Sequence, residues 1–471
     1  MKRLVSLLLA LFLLLPFSGW AEEPEEWPED QEDWESWEDW DEAEDAADWV
    51  DWVDWEDPDE EEIPEEDVLT SGDFTYVVLE DSTCAITGWT GTEDHLAIPG
   101  SLEGLRVTAL ADNAFAEAEM TSVSIPAEVT TVGANPFVAC LSLVSFDLPE
   151  DHPTLYADSG LLFSRDDRRL ITYAPGLQEG ACVLPAGTLA VGDDAFAWCE
   201  QLVRVQLCQG LTEIGSGAFA MCTGLTGIDL PDSIGTIGPS AFAGSGLERI
   251  VLPMRLMVLQ DRVFFGCEAL SDIWMPPGLT AIEDEVFGGC SMERITLPTE
   301  ISYLGVNPFV GCDSLTEIVL PQGHPVYAME GSLLMDRSEM NIIACLTGVI
   351  GEFDIPEGVV SVGDYAFFGC SELTDIHFPS TLRRIGSAGF SSCMTCTSLV
   401  LNDGLEAIGD LAFSDCFLLE DIRIPRSVTE LGEELFDSCG SLQAVHAEQD
   451  SAVWAWCREN LVPVTADTPE E

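Results

Sequence analysis

Residues 309–321 read Phe-Val-Gly-Cys-Asp-Ser-Leu-Thr-Glu-Ile-Val-Leu-Pro, or FVGCDSLTEIVLP. The phrase returns in RVFFGCEALSDIWMP (262–276), YAFFGCSELTDIHFP (365–379) and LAFSDCFLLEDIRIP (411–425). Its phenylalanines are Phe115, Phe137, Phe196, Phe219, Phe242, Phe264, Phe287, Phe309, Phe367, Phe390, Phe413 and Phe436, and all but two intervals are 22 or 23 residues. Self-similarity at such a period means a solenoid, in which no unit can bury its apolar face alone. The Ile-x-Leu alternation places two apolar side chains on one face of a short strand and the residue between them on the other. Proline has no N–H to give a ladder, so it ends the strand. Stacked strands then form a parallel sheet over a continuous interior of Phe, Ile and Leu.

These units resemble the BspA-type leucine-rich repeat family of secreted and surface proteins, whose signature is AF-x-x-C-x-x-L-x-x-I-x-L-P. The resemblance covers residues 71–465. It implies a leucine-rich repeat solenoid: a β-rich right-handed coil with short parallel strands, short helical turns and caps at both ends. FTYVVLEDSTCAITGW and the residues after it look like the N-terminal cap, and SAVWAWCRENLVPV looks like a closing helix and strand. The expected boundaries are an N-terminal cap over 68–109, about twelve repeats over 110–439, and a C-terminal cap with an acidic tail over 440–471. The resemblance also implies adhesion or host-surface interaction without naming a ligand.

The two long intervals match each other. Asn135-Pro136-Phe137-Val138 recurs as Asn307-Pro308-Phe309-Val310, and His152-Pro153 recurs as His324-Pro325, each 172 residues later. A block has been duplicated, and each insertion, at 138–194 and 310–365, reads as an extra hairpin. The two histidines are then turn residues repeated by duplication.

The chain opens MKRLVSLLLALFLLLPFSGWAEE, the pattern of a secretory leader over residues 1–21. Export is therefore expected, to a secreted or cell-surface location, without membrane insertion. A formal charge of −69 argues against nucleic acid, which needs clustered Lys and Arg. Lys2 is the only lysine and lies within the leader, so lysine Schiff bases and nucleotide P-loops are closed.

Of 16 cysteines, ten fall three residues after a repeat phenylalanine, at Cys140, Cys199, Cys222, Cys267, Cys290, Cys312, Cys370, Cys393, Cys416 and Cys439. Ser245 and Ala118 take the same place in two repeats. Exchange with Ser and Ala predicts small buried residues with free, poorly reactive thiols. Cys393 and Cys396 form a C-x-x-C, but Cys393 is simply the repeat cysteine. No G-x-S-x-G, H-E-x-x-H or EF-hand pattern is present. The reading is a non-enzyme without cofactor or metal.

Residues 22–67 hold 27 Asp or Glu and no Lys or Arg. Such charge density predicts an extended, disordered spacer. Trp34, Trp37, Trp40, Trp49, Trp52 and Trp55 recur within it at three-residue steps. The indoles could therefore share one side and dock to a basic or envelope partner. Loose calcium binding is a third reading, weak without a fixed loop.

The outward column between Ile and Leu runs from Ser124 to His446, and its middle reads Val251, Trp274, Thr296, Val319. Two positions earlier stand Arg204, Arg249 and Arg294. Adjacent strands lie about 4.8 Å apart, which places Trp274 between Arg249 and Arg294. Trp and Arg dominate binding hot spots, so an aromatic-basic patch for an acidic peptide or a stacked sugar ring is expected here. The ordinary alternative is a salt-bridged sheet surface using Asp229, Glu248, Asp272, Glu293 and Glu317. The function that follows is a non-catalytic binding protein for an extracellular protein or glycan; the alternative is a structural envelope spacer without a defined ligand.

Overall fold

A computed structural model describes residues 67–177, 180–346 and 348–467. The expected leader and all of the acidic tryptophan segment except Asp67 lie outside the described residues.

Most turns of the coil lay down two short strands and one run of tight turns. The first strand comes from the Ile-x-Leu phrase, as in Arg249–Val251, Asp272–Trp274, Arg294–Thr296 and Glu317–Val319. The second is a two-residue strand after the proline, as in Val258–Leu259, Ala281–Ile282 and Tyr303–Leu304. The second strand pairs in parallel with its counterpart in the next turn, and the first does so within short ladders, both in strict register. The alternation expected from the sequence holds: Ile250 and Ile295 are buried while their neighbours on each strand are exposed.

The phenylalanine segment closes the third side by successive turns. Its backbone also bonds from turn to turn, Phe196 N–H to Ala218 O at 2.9 Å and Phe264 N–H to Val286 O at 2.9 Å. The rings follow the backbone and stack. Centroids from Phe196 through Phe219, Phe242, Phe264 and Phe287 to Phe309 are 4.9, 5.3, 5.7, 5.9 and 5.8 Å apart. A second run joins Phe367, Phe390, Phe413 and Phe436. These rings bury a large apolar area in a column whose packing is near that of an organic crystal.

At each duplicated insertion the chain makes a hairpin before rejoining the coil. Leu155–Asp158 pairs antiparallel with Leu161–Ser164, and Tyr327–Glu330 with Leu333–Asp336. The next strands, Arg169–Tyr173 and Asn341–Cys345, pair in parallel with the following coil strand. Buried His152 and His324 fix the hairpin entries. His152 Nδ1 accepts from Leu155 N–H and His324 Nδ1 from Tyr327 N–H, both at 3.1 Å.

The first end is an antiparallel set, Leu69–Ser71, Phe74–Val78 and Cys84–Trp89, whose last strand pairs in parallel with Leu105–Leu110. The other end carries the only α-helix among the described residues, Ala452–Glu459. Ser451 caps it by accepting Trp454 N–H at 3.1 Å. Val464–Ala466 then covers the Ala444–Ala447 edge, so the apolar column is closed and the last sheet edge is short.

Candidate functional site

The outward face of the first sheet places each expected residue on a strand of three. Trp274 ends Asp272–Trp274 and is 45% exposed; Val251 ends Arg249–Val251 and is 63% exposed. A parallel ladder pairs equivalent positions, so Trp274 faces Val251, and Arg249 faces Asp272. Of the two arginines expected to flank Trp274, Arg249 is on the strand paired with it and Arg294 is not. Arg249 lies in the neighbouring column, a diagonal away. Arg294 belongs to a different ladder, where it faces Glu317, and Thr296 faces Val319.

In most repeats the cysteine is followed three residues later by the buried leucine, as in Cys267 to Leu270. In three repeats the step is two, from Ala118 to Met120, from Ser245 to Leu247 and from Cys290 to Met292. The step does not set the pairing, since Ser122–Ser124, which follows the first of them, pairs on both sides; Arg249–Val251 and Asp272–Trp274 form one two-stranded sheet, Arg294–Thr296 and Glu317–Val319 another. Trp274 therefore stands at a seam.

Electrostatically the face is mixed. Arg294 Nε pairs with Glu317 Oε2 at 3.2 Å, both side chains largely exposed. Arg204 and Arg249 make no ion pair among the described residues. The salt-bridged alternative thus holds at one arginine of three. Val319 leads into a concavity of about 320 Å³ that also touches His324, Tyr327, Met329 and Arg337. A second concavity, away from this face, is lined by residues that no motif marked.

Nothing in the interior resembles a reaction centre. All sixteen cysteines are free. The repeat thiols donate to the carbonyl of the preceding phenylalanine: Cys222 to Phe196 O at 3.1 Å, Cys267 to Phe242 O at 3.0 Å, Cys312 to Phe287 O at 2.9 Å. Burial pushes Cys222 and Cys312 up to about 12. In the C-x-x-C, Cys396 donates to Leu373 O at 3.0 Å and Cys393 to Phe367 O at 3.6 Å. Both thiols serve the backbone, and no group of His, Cys, Asp or Glu suited to a metal occurs among the described residues. Among them, too, no helix is long and apolar enough to cross a membrane.

Comparison with known proteins agrees with this geometry. The BspA type leucine rich repeat region matches in six copies, over residues 106–159, 181–276, 235–329 and 346–453. Among solved structures, the chain is similar to a leucine-rich cell surface protein of Faecalibacterium prausnitzii, at 24% identity over 82% of this chain and 96% of that one, TM-score 0.47. It is also similar to a leucine-rich repeat protein of Bacteroides ovatus, at 24% identity over 85% and 100%, TM-score 0.41. The pneumococcal vaccine antigen PcpA is similar at 17% identity over 81% of each chain, TM-score 0.43. A search of curated proteins found no match.

Proposed function

This chain belongs to the BspA-type leucine-rich repeat family, and we propose that it is a non-catalytic secreted or cell-surface protein that binds an extracellular protein or glycan through the outward face around Trp274. The observation that carries the reading is the pair Val251 and Trp274, two large apolar side chains facing each other in register and both open to solvent. Arg249, on the same strand as Val251, makes no ion pair among the described residues. An exposed aromatic with arginine nearby is the composition of an energetic hot spot.

Replacing Trp274 and Arg249 together with alanine is expected to abolish saturable binding to the extracellular-matrix protein or wall polymer that the intact chain retains. The melting temperature should stay nearly unchanged, because neither side chain belongs to the core. Binding that survives the double change removes this face from consideration. A spacer without a ligand is the second reading, favoured by the ordinary Arg294–Glu317 pair on the same face. Absence of saturable binding to both matrix proteins and wall polymers would establish it.

A further inference from the structure

The two duplicated blocks differ where each hairpin rejoins the second sheet. In the first block Arg169 faces Ala190 across a parallel ladder. Its guanidinium lies 3.4 Å from Asp167 and 3.5 Å from Glu213, so the long side chain bridges the place where three segments meet. In the second block the corresponding residues are Asn341 facing Ser361, Glu339, and Arg384. Asparagine is too short to bridge, and the glutamate that anchored the far end has become an arginine. A concavity of about 390 Å³ lies there, its walls including Tyr303, Asp336, Glu339, Asn341, Asp364 and Arg384. Tyr303 and Asp336 stand where the first block has Thr131 and Ser164.

The free valences of this cavity are specific. Asn341 Oδ1 accepts from Ser361 Oγ at 2.7 Å, which leaves its amide N–H groups to donate elsewhere. Asp336 uses Oδ1 for its own turn, accepting Ser338 N–H at 2.6 Å and Ser338 Oγ at 2.7 Å, and Asp364 uses Oδ1 for Ser387 N–H at 2.7 Å. The second oxygen of each remains to accept. Arg384 is exposed and, like Glu339, makes no ion pair among the described residues. Tyr303, 53% exposed, adds an aromatic face.

Alternating acceptors and donors beside one open ring match vicinal hydroxyls and the C–H face of a sugar. A purely cationic ligand would meet Arg384, and a polyanion would meet Asp336, Glu339 and Asp364. The volume falls in the range of small-ligand sites. We propose that this cavity binds a neutral hexopyranose unit of an oligosaccharide, at a site separate from the Trp274 face.

The test uses the full chain and four probes: maltohexaose, cellohexaose, chitohexaose and mannohexaose, measured by saturation-transfer NMR and calorimetry. At least one is expected to bind saturably at millimolar concentration or below. The pair Asn341→Arg with Arg384→Glu writes the first block's residues into the second. Because the first block folds with them, this variant should fold, and it should bind roughly tenfold more weakly or worse. Tyr303→Thr should weaken binding as well, whereas Trp274→Ala should leave it unchanged, which separates this site from the face proposed above. Saturation by none of the four, affinity undiminished in the Asn341→Arg, Arg384→Glu variant, or binding confined to oligolysine would each overturn the assignment.

Discussion

Oδ1 of Asp410 accepts the backbone N–H of Glu433 at 2.7 Å, one turn further along the coil. Asp112, Asp193, Asp261, Asp284 and Asp364 do the same for Ala134, Ser216, Asp284, Val306 and Ser387. The residue just before each recipient is Gly133, Gly215, Gly305, Gly386 or Gly432 in five of the six, and there a Cβ would run into the carboxylate. The exception is Glu283, whose carboxyl is pushed up by burial and by the charges of Asp261 and Asp284. Replacing Asp410 with alanine is expected to lower stability by about 1 kcal/mol and to speed hydrogen exchange at the Glu433 amide. Asparagine, which keeps an acceptor, should do less. Unchanged exchange at Glu433 would show that the bond holds nothing.

Phe264 is fully buried, with ring centroids 5.7 Å from Phe242 and 5.9 Å from Phe287. Truncation to alanine opens a cavity between two rigid neighbours and should cost about 3–5 kcal/mol, whereas leucine should cost markedly less. Each turn touches only the next, so the loss should loosen the adjacent turns first. Denaturant unfolding followed by residue-resolved exchange would show this; uniform loosening along the whole coil would contradict it.

The thiols yield a labelling prediction. Only Cys208 and Cys439 are partly accessible; the other fourteen of the sixteen are buried. Burial pushes Cys140 and Cys222 up to about 12, which leaves these thiols protonated at neutral pH, where they are poor nucleophiles. Iodoacetamide should modify no more than those two in the folded chain and all sixteen after denaturation. Mass mapping under non-reducing conditions that found several of the repeat cysteines crosslinked would contradict this.

Two kinds of buried titrating group set opposite pH trends. Asp194 is pushed from 3.8 up to about 7, first by burial and then by Asp193 and Asp112. Its folded-state preference is for the proton, so its contribution is full below the unfolded value and is lost as pH rises through about 7. His152 and His324 are depressed below 6.5, chiefly by burial. Their contribution is present above 6.5 and is lost as pH falls through their folded values. Asp194 holds φ 52°, a conformation asparagine tolerates well. Asp194→Asn should therefore raise the thermal midpoint at about pH 8 and change it little near pH 4. Calorimetry at the two pH values would decide; an equal shift at both would exclude the titration of this carboxyl as the cause.

The coil was legible because its signal repeats. Phe, Cys, Leu, Ile and Pro return at one spacing, and the column of stacked rings follows from that spacing alone. Register in a parallel ladder joins like positions, so the pairing of Val251 with Trp274 follows from the column order, whereas the break in pairing after Trp274 has no mark in that column. The aspartate bonds were missed because a carboxylate in a chain with 86 acidic residues carries no distinguishing mark. The Tyr303 cavity lay in the differences between the duplicated blocks, where only their likeness had been read.

Most junctions in the coil reuse the same three links, a stacked ring, a thiol on a carbonyl, and a strand in register. A turn can therefore be inserted or removed without redesigning its neighbours, and the duplicated block is one such insertion. Each added turn moves the far end onward by about 4.8 Å. The chain is in effect a ruler with regular graduations, and its reach can be altered in whole steps while its two closed ends stay the same.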